Sequence, residues 1–383
     1  MSGTWTARRV TRAVAVAALL AVALTAPRTI SAFASTPADT ISWESGSRQF
    51  VTSGTYARIK RIGGGDLLLV YSDGPGVRVR RSADNGATWS AATTVAQASG
   101  YNYTNAEVTQ LANGWLLYLW NGRPVSDGGA QRYTIMSRIS RDGGRTWADE
   151  RTAYIGDAVF GNGVWEPAAI QLPSGEIQLF FANESPYRSS NEQEITLMRS
   201  FDNGLSWGEA KAVSFRAGHR DGMPVPVRLR DDAGLAFAIE DDGLGGPFKP
   251  AIVWSSAADN WRQGTASSRW SALRSDQQLP VAVYAGAPYL VQMPTGETVL
   301  SVQSTEGRVR HDLSVANMQV YVGDGAARNF ANRSTPFPDL PAEADALWNS
   351  LTVLDDDNLL AVSSVTGLGR NGIWIVRGHL VRG

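Results

Sequence analysis

From residue 57 onward the chain alternates short apolar runs with small polar turns, and the runs come in pairs. Ala57–Tyr71 turns at Gly63-Gly64-Gly65-Asp66, Ala106–Trp120 at Asn113-Gly114, and Pro167–Phe181 at Pro173-Ser174-Gly175. Pro224–Ile239 turns at Asp231-Asp232-Ala233-Gly234, Pro288–Val302 at Pro294-Thr295-Gly296, and Ser350–Ser363 at Asp355–Asn358. Turn residues of these types favour antiparallel hairpins. No strong helical periodicity runs through the same segments. The pattern predicts six hairpins in an all-β chain.

A second repeat lies out of phase with the hairpins. Ser82-Ala83-Asp84-Asn85-Gly86-Ala87-Thr88-Trp89, Ser140-Arg141-Asp142-Gly143-Gly144-Arg145-Thr146-Trp147 and Ser200-Phe201-Asp202-Asn203-Gly204-Leu205-Ser206-Trp207 share the pattern S-x-D-x-G-x-[ST]-W, about sixty residues apart. A decayed copy runs from Ser255 to Trp261. The Asp side chain can accept bonds from the N–H groups of its own turn. The Gly can take positive φ, and the Trp can pack back between neighbouring sheets. These aspartates therefore read as structural rather than catalytic. Six hairpins and a recurring outer turn predict a six-bladed β-propeller with about four strands per blade. Gly372–Val381 supplies one strand after the last hairpin and the chain then ends. Ile41–Val51 has no partner of its own, so it is expected to close the ring as the outer strand of the last blade and protect its edge.

The first residues follow a different pattern. Arg8, Arg9 and Arg12 precede an apolar run from Ala13 to Ala26, and Ala32-Phe33-Ala34 offers small residues for cleavage. That layout is expected of an export signal at 1–34, leaving a mature domain at 35–383 in the extracellular space, with no membrane attachment after cleavage. The mature chain loses Arg8, Arg9, Arg12 and Arg28 and no acid, so it becomes more acidic than the whole chain, whose net charge is -1. A nucleic-acid partner would require a basic face. There is no cysteine, so stability must come from burial, which a domain of this length can supply. The domain is expected to be a monomer.

In a propeller, the start of each inner strand and the end of the next strand share one face. That face gathers Arg58, Glu107, Glu166, Arg220, Asp221, Tyr284, Trp348 and Asn349 from the first set, and Asp73, Asn121, Glu184, Glu240 and Gln303 from the second. Glu166, in Val164-Trp165-Glu166-Pro167, and Glu240, closing the apolar run Phe237-Ala238-Ile239, belong to adjacent blades. Two carboxylates across a small cleft are the machinery of glycoside hydrolysis; the same residues could equally be solvated rim groups. Asp241 and Asp242 follow Glu240, and like charges raise a carboxyl pKa, which favours Glu240 as the acid. Arg58, Glu107, Glu184, Arg220 and Asp221 could bind sugar hydroxyls or form rim salt bridges. Trp165, Tyr284 and Trp348 suit stacking on a sugar face or packing of the rim. His219, His311 and His379 show no ligand spacing, so no catalytic metal or other cofactor is expected. The partner these features suggest is an oligosaccharide or polysaccharide.

The Asp boxes resemble those of the sialidase-like propellers. Three further stretches resemble glycoside hydrolase family 93, the exo-arabinanases. They are Val164-Trp165-Glu166-Pro167 with Leu172-Pro173-Ser174-Gly175, Arg220-Asp221-Gly222-Met223-Pro224 leading to Glu240, and Ala287-Pro288-Tyr289-Leu290 with Pro294-Thr295-Gly296-Glu297. The likeness runs over residues 45–380. It implies a retaining enzyme that releases arabinobiose from the ends of α-1,5-L-arabinan, with Glu166 as nucleophile and Glu240 as acid/base. An exo-sialidase is the alternative: Arg58 in Ala57-Arg58-Ile59 resembles the first of three arginines and Arg220 could be the second. Ala285-Gly286-Ala287-Pro288 offers no third, and Trp348-Asn349 stands where a tyrosine nucleophile belongs. A non-catalytic glycan-binding propeller is the other alternative, and its mark would be a missing carboxylate pair.

Overall fold

The computed structural model describes residues 39–126, 131–157 and 162–383; the export segment read at 1–34 lies outside them. The described residues form six antiparallel sheets, with short 3-10 turns and no α-helix. Five sheets take four consecutive strands each, beginning with Thr55–Arg61, Tyr101–Gln110, Val164–Gln171, Asp221–Arg228 and Ala285–Gln292. These first strands, with Ala346–Val353 of the sixth sheet, touch their neighbours all round and so line a central axis. The sixth sheet is completed from the other end of the chain. Thr40 pairs with Val381 and Gln49 with Ile375, so the N-terminal segment closes the ring beside Gly372–Val381. A 3-10 turn at Ser45–Ser47 divides that closing strand into two pieces. The fold is a six-bladed β-propeller.

The second strand of each blade explains why the apolar runs are so continuous. In blade one Leu67, Leu68, Leu69, Val70 and Tyr71 are all buried. Successive side chains of a strand point to opposite faces. Leu67, Leu69 and Tyr71 meet Leu360, Val362 and Ile375 of blade six, while Leu68 and Val70 meet Ala106, Val108 and Leu116 of blade two. A strand sandwiched between two sheets has no polar face to display. Burying each large side chain stabilises the ring by about 1.5–3 kcal/mol.

The Asp boxes form the turn between the third and fourth strands. In blade two Asp142 Oδ1 accepts from the N–H groups of Arg145 and Thr146 at 3.0 and 2.9 Å, and Oδ2 from the Thr146 hydroxyl at 2.6 Å. Ser140 Oγ donates to Asp142 at 2.8 Å and accepts from Gly144 N at 2.7 Å. These bonds favour the ionised carboxylate and hold Asp84 down to about 2, with Asp142 and Asp202 also lowered. Trp89, Trp147 and Trp207 each pack in the seam with the preceding blade. The decayed copy keeps the plan: Ser255 Oγ donates to Asp259 at 2.9 Å and Trp261 is buried against Phe180 and Phe237. Blade five has a fifth version that the pattern misses. Asp324 accepts from the N–H groups of Ala326 and Arg328, both at 3.0 Å, and Phe330 takes the place of the tryptophan.

The boxes also clasp neighbouring blades. Arg81, Arg199 and Arg377 occupy equivalent positions on third strands, and donate to the turn carbonyls of Gly143, Asn260 and Asn85 in the next blade. Asp142→Ala is expected to lower stability by about 1–3 kcal/mol through lost turn bonds, with turnover per folded molecule little changed. Denaturant unfolding together with active-site titration checks both halves, and a large loss of activity in fully folded protein would overturn the structural role.

Candidate active site

All six inner strands begin with the same irregularity. Register slips between Thr55 and Arg58, Thr104 and Glu107, Trp165 and Ala168, Gly222 and Val225, Gly286 and Tyr289, and Leu347 and Ser350. At each slip one non-glycine residue turns left-handed: Tyr56, Asn105, Glu166, Met223, Ala287 and Trp348, with φ from 45 to 55°. A bulge re-aims a side chain, and here it aims six toward the axis. Tyr56 packs with Met223, Ala287 and Trp348, although blades one and four lie on opposite sides of the ring. Tyr56 stacks on Trp348 with ring centroids 5.7 Å apart. Tyr56, Asn105, Glu166 and Met223 line one central pocket. Left-handed backbone costs about 1–3 kcal/mol per residue, so the ring persists because the packed blades impose it. Pro167, Pro224 and Pro288 follow three of the six, the bulge being a place where a strand tolerates proline.

One layer down, an ionic network fills the axis. Arg58 is buried and donates to the carbonyls of Ala57, Trp348 and Asn349 at 3.0, 3.0 and 3.2 Å. Its guanidinium lies 4.3 Å from the Tyr56 ring centre and its Nε 3.9 Å from Glu107. Glu107 is 3.3 Å from Lys60 Nζ, which donates to the Tyr289 hydroxyl at 2.7 Å. Arg58 and Glu107 thus neutralise each other beneath the ring and form the floor of the pocket.

Glu240, at the end of blade four's second strand, reaches across to the bulge of blade five. Its Oε2 accepts the N–H of Ala287, the blade-five bulge residue, at 2.8 Å. Gly222 is its cross-strand partner. A Cβ at Gly222 would lie 2.9 Å from Glu240 Oε1, and one at Gly286 would collide with both Glu240 Oε2 and the Tyr284 hydroxyl. Only glycine leaves room for the carboxyl at these two positions. Gln303 donates to the Tyr284 hydroxyl at 2.9 Å and accepts the N–H of Trp348 at 2.8 Å, which ties the blade-five and blade-six walls together.

Burial pushes Glu166 well above the usual carboxylate range; the charges of Glu240 and Glu184 add to this, and Arg220 and Arg58 oppose it. Burial likewise pushes Glu240 up to about 7, against the Ala287 N–H and Arg220. The expected effect of neighbouring acids is minor: Asp242 contributes least to the rise, and Asp241 points to the opposite face, paired with Arg216 and Arg269. Arg220 is itself engaged, bonded to Glu184 and, at 2.9 Å, to the carbonyl of Asn191. Glu184 is buried and also accepts from Gly163 N at 3.0 Å and Gln193 Nε2 at 3.2 Å. The phenols of Tyr56 and Tyr284 are raised by burial and then, among other charges, by both Glu166 and Glu240. These four groups therefore share one electrostatic environment.

Other residues of the sequence reading lie apart. Asp221 shares a strand face with Asp241, and its fully buried carboxylate accepts from Arg269 at 2.8 Å and Ser214 at 2.7 Å. It holds blade four together. Asn349 is buried between blades and accepts from Ser301 Oγ at 2.6 Å. Trp165 points away from its neighbour Glu166 and packs edge-on against Tyr133 at 4.9 Å. Tyr56 and Asn105 line the pocket, and Gly222 and Gly286 leave room for Glu240, without having been singled out from the sequence. Among the described residues no group of three or more His, Asp or Glu side chains could hold a metal ion.

The connections on this face are uneven. Those at 53–54, 73–75 and 98–100, around blade one, are short, whereas 184–193, 272–284, 305–316 and 335–345, on blades three to five, are long. The long ones include Glu184 and Tyr284.

Residues 71–319 match the BNR repeat-like domain family. No curated protein sequence matches the chain. Among solved structures, the family 93 α-L-arabinofuranosidase of Fusarium graminearum, in complex with arabinobiose, is similar with a TM-score of 0.63 at 18% identity, over 89% of this chain and 94% of that one. The α-L-arabinanase of Penicillium chrysogenum, complexed with arabinobiose, has a TM-score of 0.63 at 18% identity, over 91% of this chain and 98% of that one. The NanB sialidase of Streptococcus pneumoniae has a TM-score of 0.58 at 12% identity, over 88% and 70%. At these identities the likeness establishes a shared fold. With the repeat match spanning well over half its length, the protein belongs to the BNR repeat-like domain family.

Proposed function

We propose that this protein is an exported, retaining, exo-acting glycoside hydrolase that takes arabinobiose from the ends of α-1,5-L-arabinan. The observation that carries the reading is the pair Glu166 and Glu240, two half-buried carboxyls of raised pKa, the first on a bulge of the ring and the second bonded to the bulge residue Ala287, close enough to act on each other. A buried pair of this kind titrates as a unit, and losing one proton tightens the hold on the other. The singly protonated pair is the working state. The mechanism places the charge on Glu166, where Arg220 and Arg58 oppose a large upward push from burial, and the proton on Glu240.

In the first step a Glu166 oxygen attacks the anomeric carbon while Glu240 gives its proton to the departing glycosidic oxygen. The bond to the leaving sugar breaks and a glycosyl ester forms on Glu166. Glu240, now ionised, takes a proton from water, and the hydroxide attacks the same carbon from the opposite side. Release restores Glu166 and leaves the configuration kept. The long connections on blades three to five fit attack at a chain end, with the rest of the polymer leaving over blade one.

The charge inventory favours a neutral sugar over a sialic acid. Arg220 is paired with Glu184, and Arg58 is buried with its Nη1 against three carbonyls and Glu107 at 3.9 Å, so both positive charges are already offset within the protein. The test is a panel of linear arabinan, branched arabinan and sialyl-lactose, with products separated and the first product's anomer read by proton NMR. Arabinobiose of retained configuration is expected from linear arabinan. Release of sialic acid, internal fragments or an inverted anomer would overturn the corresponding part of the proposal.

A further inference from the structure

The chemistry above gives no part to Arg269, on the outermost strand of blade four, Ser268–Ser271. Its guanidinium is mostly buried and reaches three other strands. Nη1 donates to Asp221 Oδ1 at 2.8 Å and to Asp241 Oδ2 at 3.0 Å, while Nη2 donates to Asp221 Oδ2 and to Ser214 Oγ of blade three. Both carboxylates are fully buried. Ser214 Oγ gives its own proton to Asp221 at 2.7 Å, and Asp241 Oδ1 accepts from Gly243 N at 2.7 Å and from Arg216. Arg216 serves Asp241 alone; Arg269 holds both acids.

Asp221 and Asp241 face each other across the first two strands of the blade, and Gly222 and Glu240 are the next pair. Asp221 turns its N–H outward, to the carbonyl of Gln193 at 3.0 Å. The two acids are therefore a non-hydrogen-bonded pair, the kind whose side chains lie closest. Like charges directly opposite destabilise a pairing. Beyond Gly222 the register slips at the bulge and resumes only at Val225. Two rungs thus join the first strand to the second at the level of Glu240, and one of them would repel itself without a shared cation. On its other edge the second strand pairs regularly as far as Asp241 with Lys249, so the strand itself stays in place. What the cation governs is how closely Gly222 and its bulge sit against Glu240.

We infer that Arg269 is a positioning residue for Glu240: by bridging Asp221 and Asp241 it closes the last two rungs of blade four and fixes Gly222 against the Glu240 carboxyl. Glu240 Oε2 is engaged by the Ala287 N–H at 2.8 Å. Oε1 lies toward Gly222, 2.9 Å from where a Cβ would stand there. Oε1 is thus the oxygen left to carry the acid proton, and its place depends on the rung that Arg269 closes. A misplacement of about 1 Å can cost a reaction about 100-fold, even when its cause lies far from the chemistry. The inference rests on the reading of Glu240 as the acid.

The experiment uses two aryl α-L-arabinobiosides of similar size, 4-nitrophenyl and 4-methylphenyl, whose departing oxygens differ in their need for a proton. Arg269→Met is expected to lose about 10- to 100-fold in kcat/KM on the 4-methylphenyl substrate and less than about threefold on the 4-nitrophenyl one. Damage to packing alone would lower both alike. In the Glu240→Gln background the same change should add less than about twofold on either substrate, because the group it positions is gone. If Arg269→Met folds poorly, Arg269→Lys takes its place. It keeps the charge but lacks the fork that spans both carboxylates, so the same selectivity is expected at smaller size. Native activity in the folded variants, equal losses on the two substrates, or full additivity with Glu240→Gln would overturn this inference and leave Glu240 as the acid. If Glu240→Gln is itself insensitive to the leaving group, or the native protein turns over neither glycoside, the reading of Glu240 falls and this inference with it.

Discussion

Glu166→Ala is expected to lose on the order of 10⁴-fold or more in kcat/KM on arabinan, the scale seen when a nucleophile is removed from a working site. The loss should appear in both half-reactions, because no glycosyl ester can form and none can then be hydrolysed. The folded state should not suffer with it. Burial and the charges of Glu240 and Glu184 disfavour the Glu166 carboxylate, so its removal relieves an unfavourable charge. A variant that melts no earlier than the native protein yet turns nothing over separates chemistry from folding. A sharper reading comes from an added small anion such as azide. With the carboxylate gone, the anion can enter the space and attack the anomeric carbon directly. One displacement instead of two gives a glycosyl azide of inverted configuration. Rescue with inversion would assign the nucleophile; full activity without azide would remove Glu166 from the mechanism.

The ring of blades was legible because each hairpin needs its own turn chemistry, and that chemistry is written locally. Asn113-Gly114 and Pro173-Ser174-Gly175 have few other uses between apolar runs. The blade-five turn escaped because Asp324 kept its bonds while the serine and tryptophan positions changed to Val322 and Phe330. The pocket was harder to read. Tyr56, Asn105, Glu166, Met223, Ala287 and Trp348 have no chemistry in common; a shared backbone bulge makes them equivalent. The three prolines after Glu166, Met223 and Ala287 were the available signal, since proline inside a strand marks a bulge or an edge. Adjacency in sequence misled for the acids, because neighbouring strand residues face opposite ways. Asp221 and Asp241 turn into blade four as partners of Arg269, while Glu240, one residue away, faces the pocket. The glycines at 222 and 286 carried information of another kind: what they lack is what Glu240 occupies.

Glu240→Gln should cost catalysis in proportion to the leaving group's need for a proton. On arabinan, whose departing oxygen is a poor leaving group, the loss of general acid catalysis is expected to reach about 10²–10⁴-fold. On a 4-nitrophenyl glycoside the first step needs little protonation, so the glycosyl ester should accumulate and its hydrolysis become limiting. The pH profile follows from the same group. With Glu240 pushed up to about 7 and Glu166 also raised, the acid limb of kcat/KM should lie above the ordinary carboxylate range and the alkaline limb near neutrality. The variant should lose the alkaline limb. Stability should move in the opposite sense. A carboxyl whose pKa is higher folded than unfolded binds more protons in the native state, so the native protein loses stability as pH rises from the unfolded value through about 7. Above that range Glu240 is a buried charge that the fold carries as a penalty, and below the unfolded value it is neutral in both states. Glutamine has no proton to lose. The variant should therefore unfold like the native protein near pH 4, and be more stable by about 1–3 kcal/mol at pH 8. Denaturant melts at the two pH values measure this directly. A difference that is absent at pH 8, or larger at pH 4 than at pH 8, would mean that Glu240 ionises freely and is no proton donor at neutral pH.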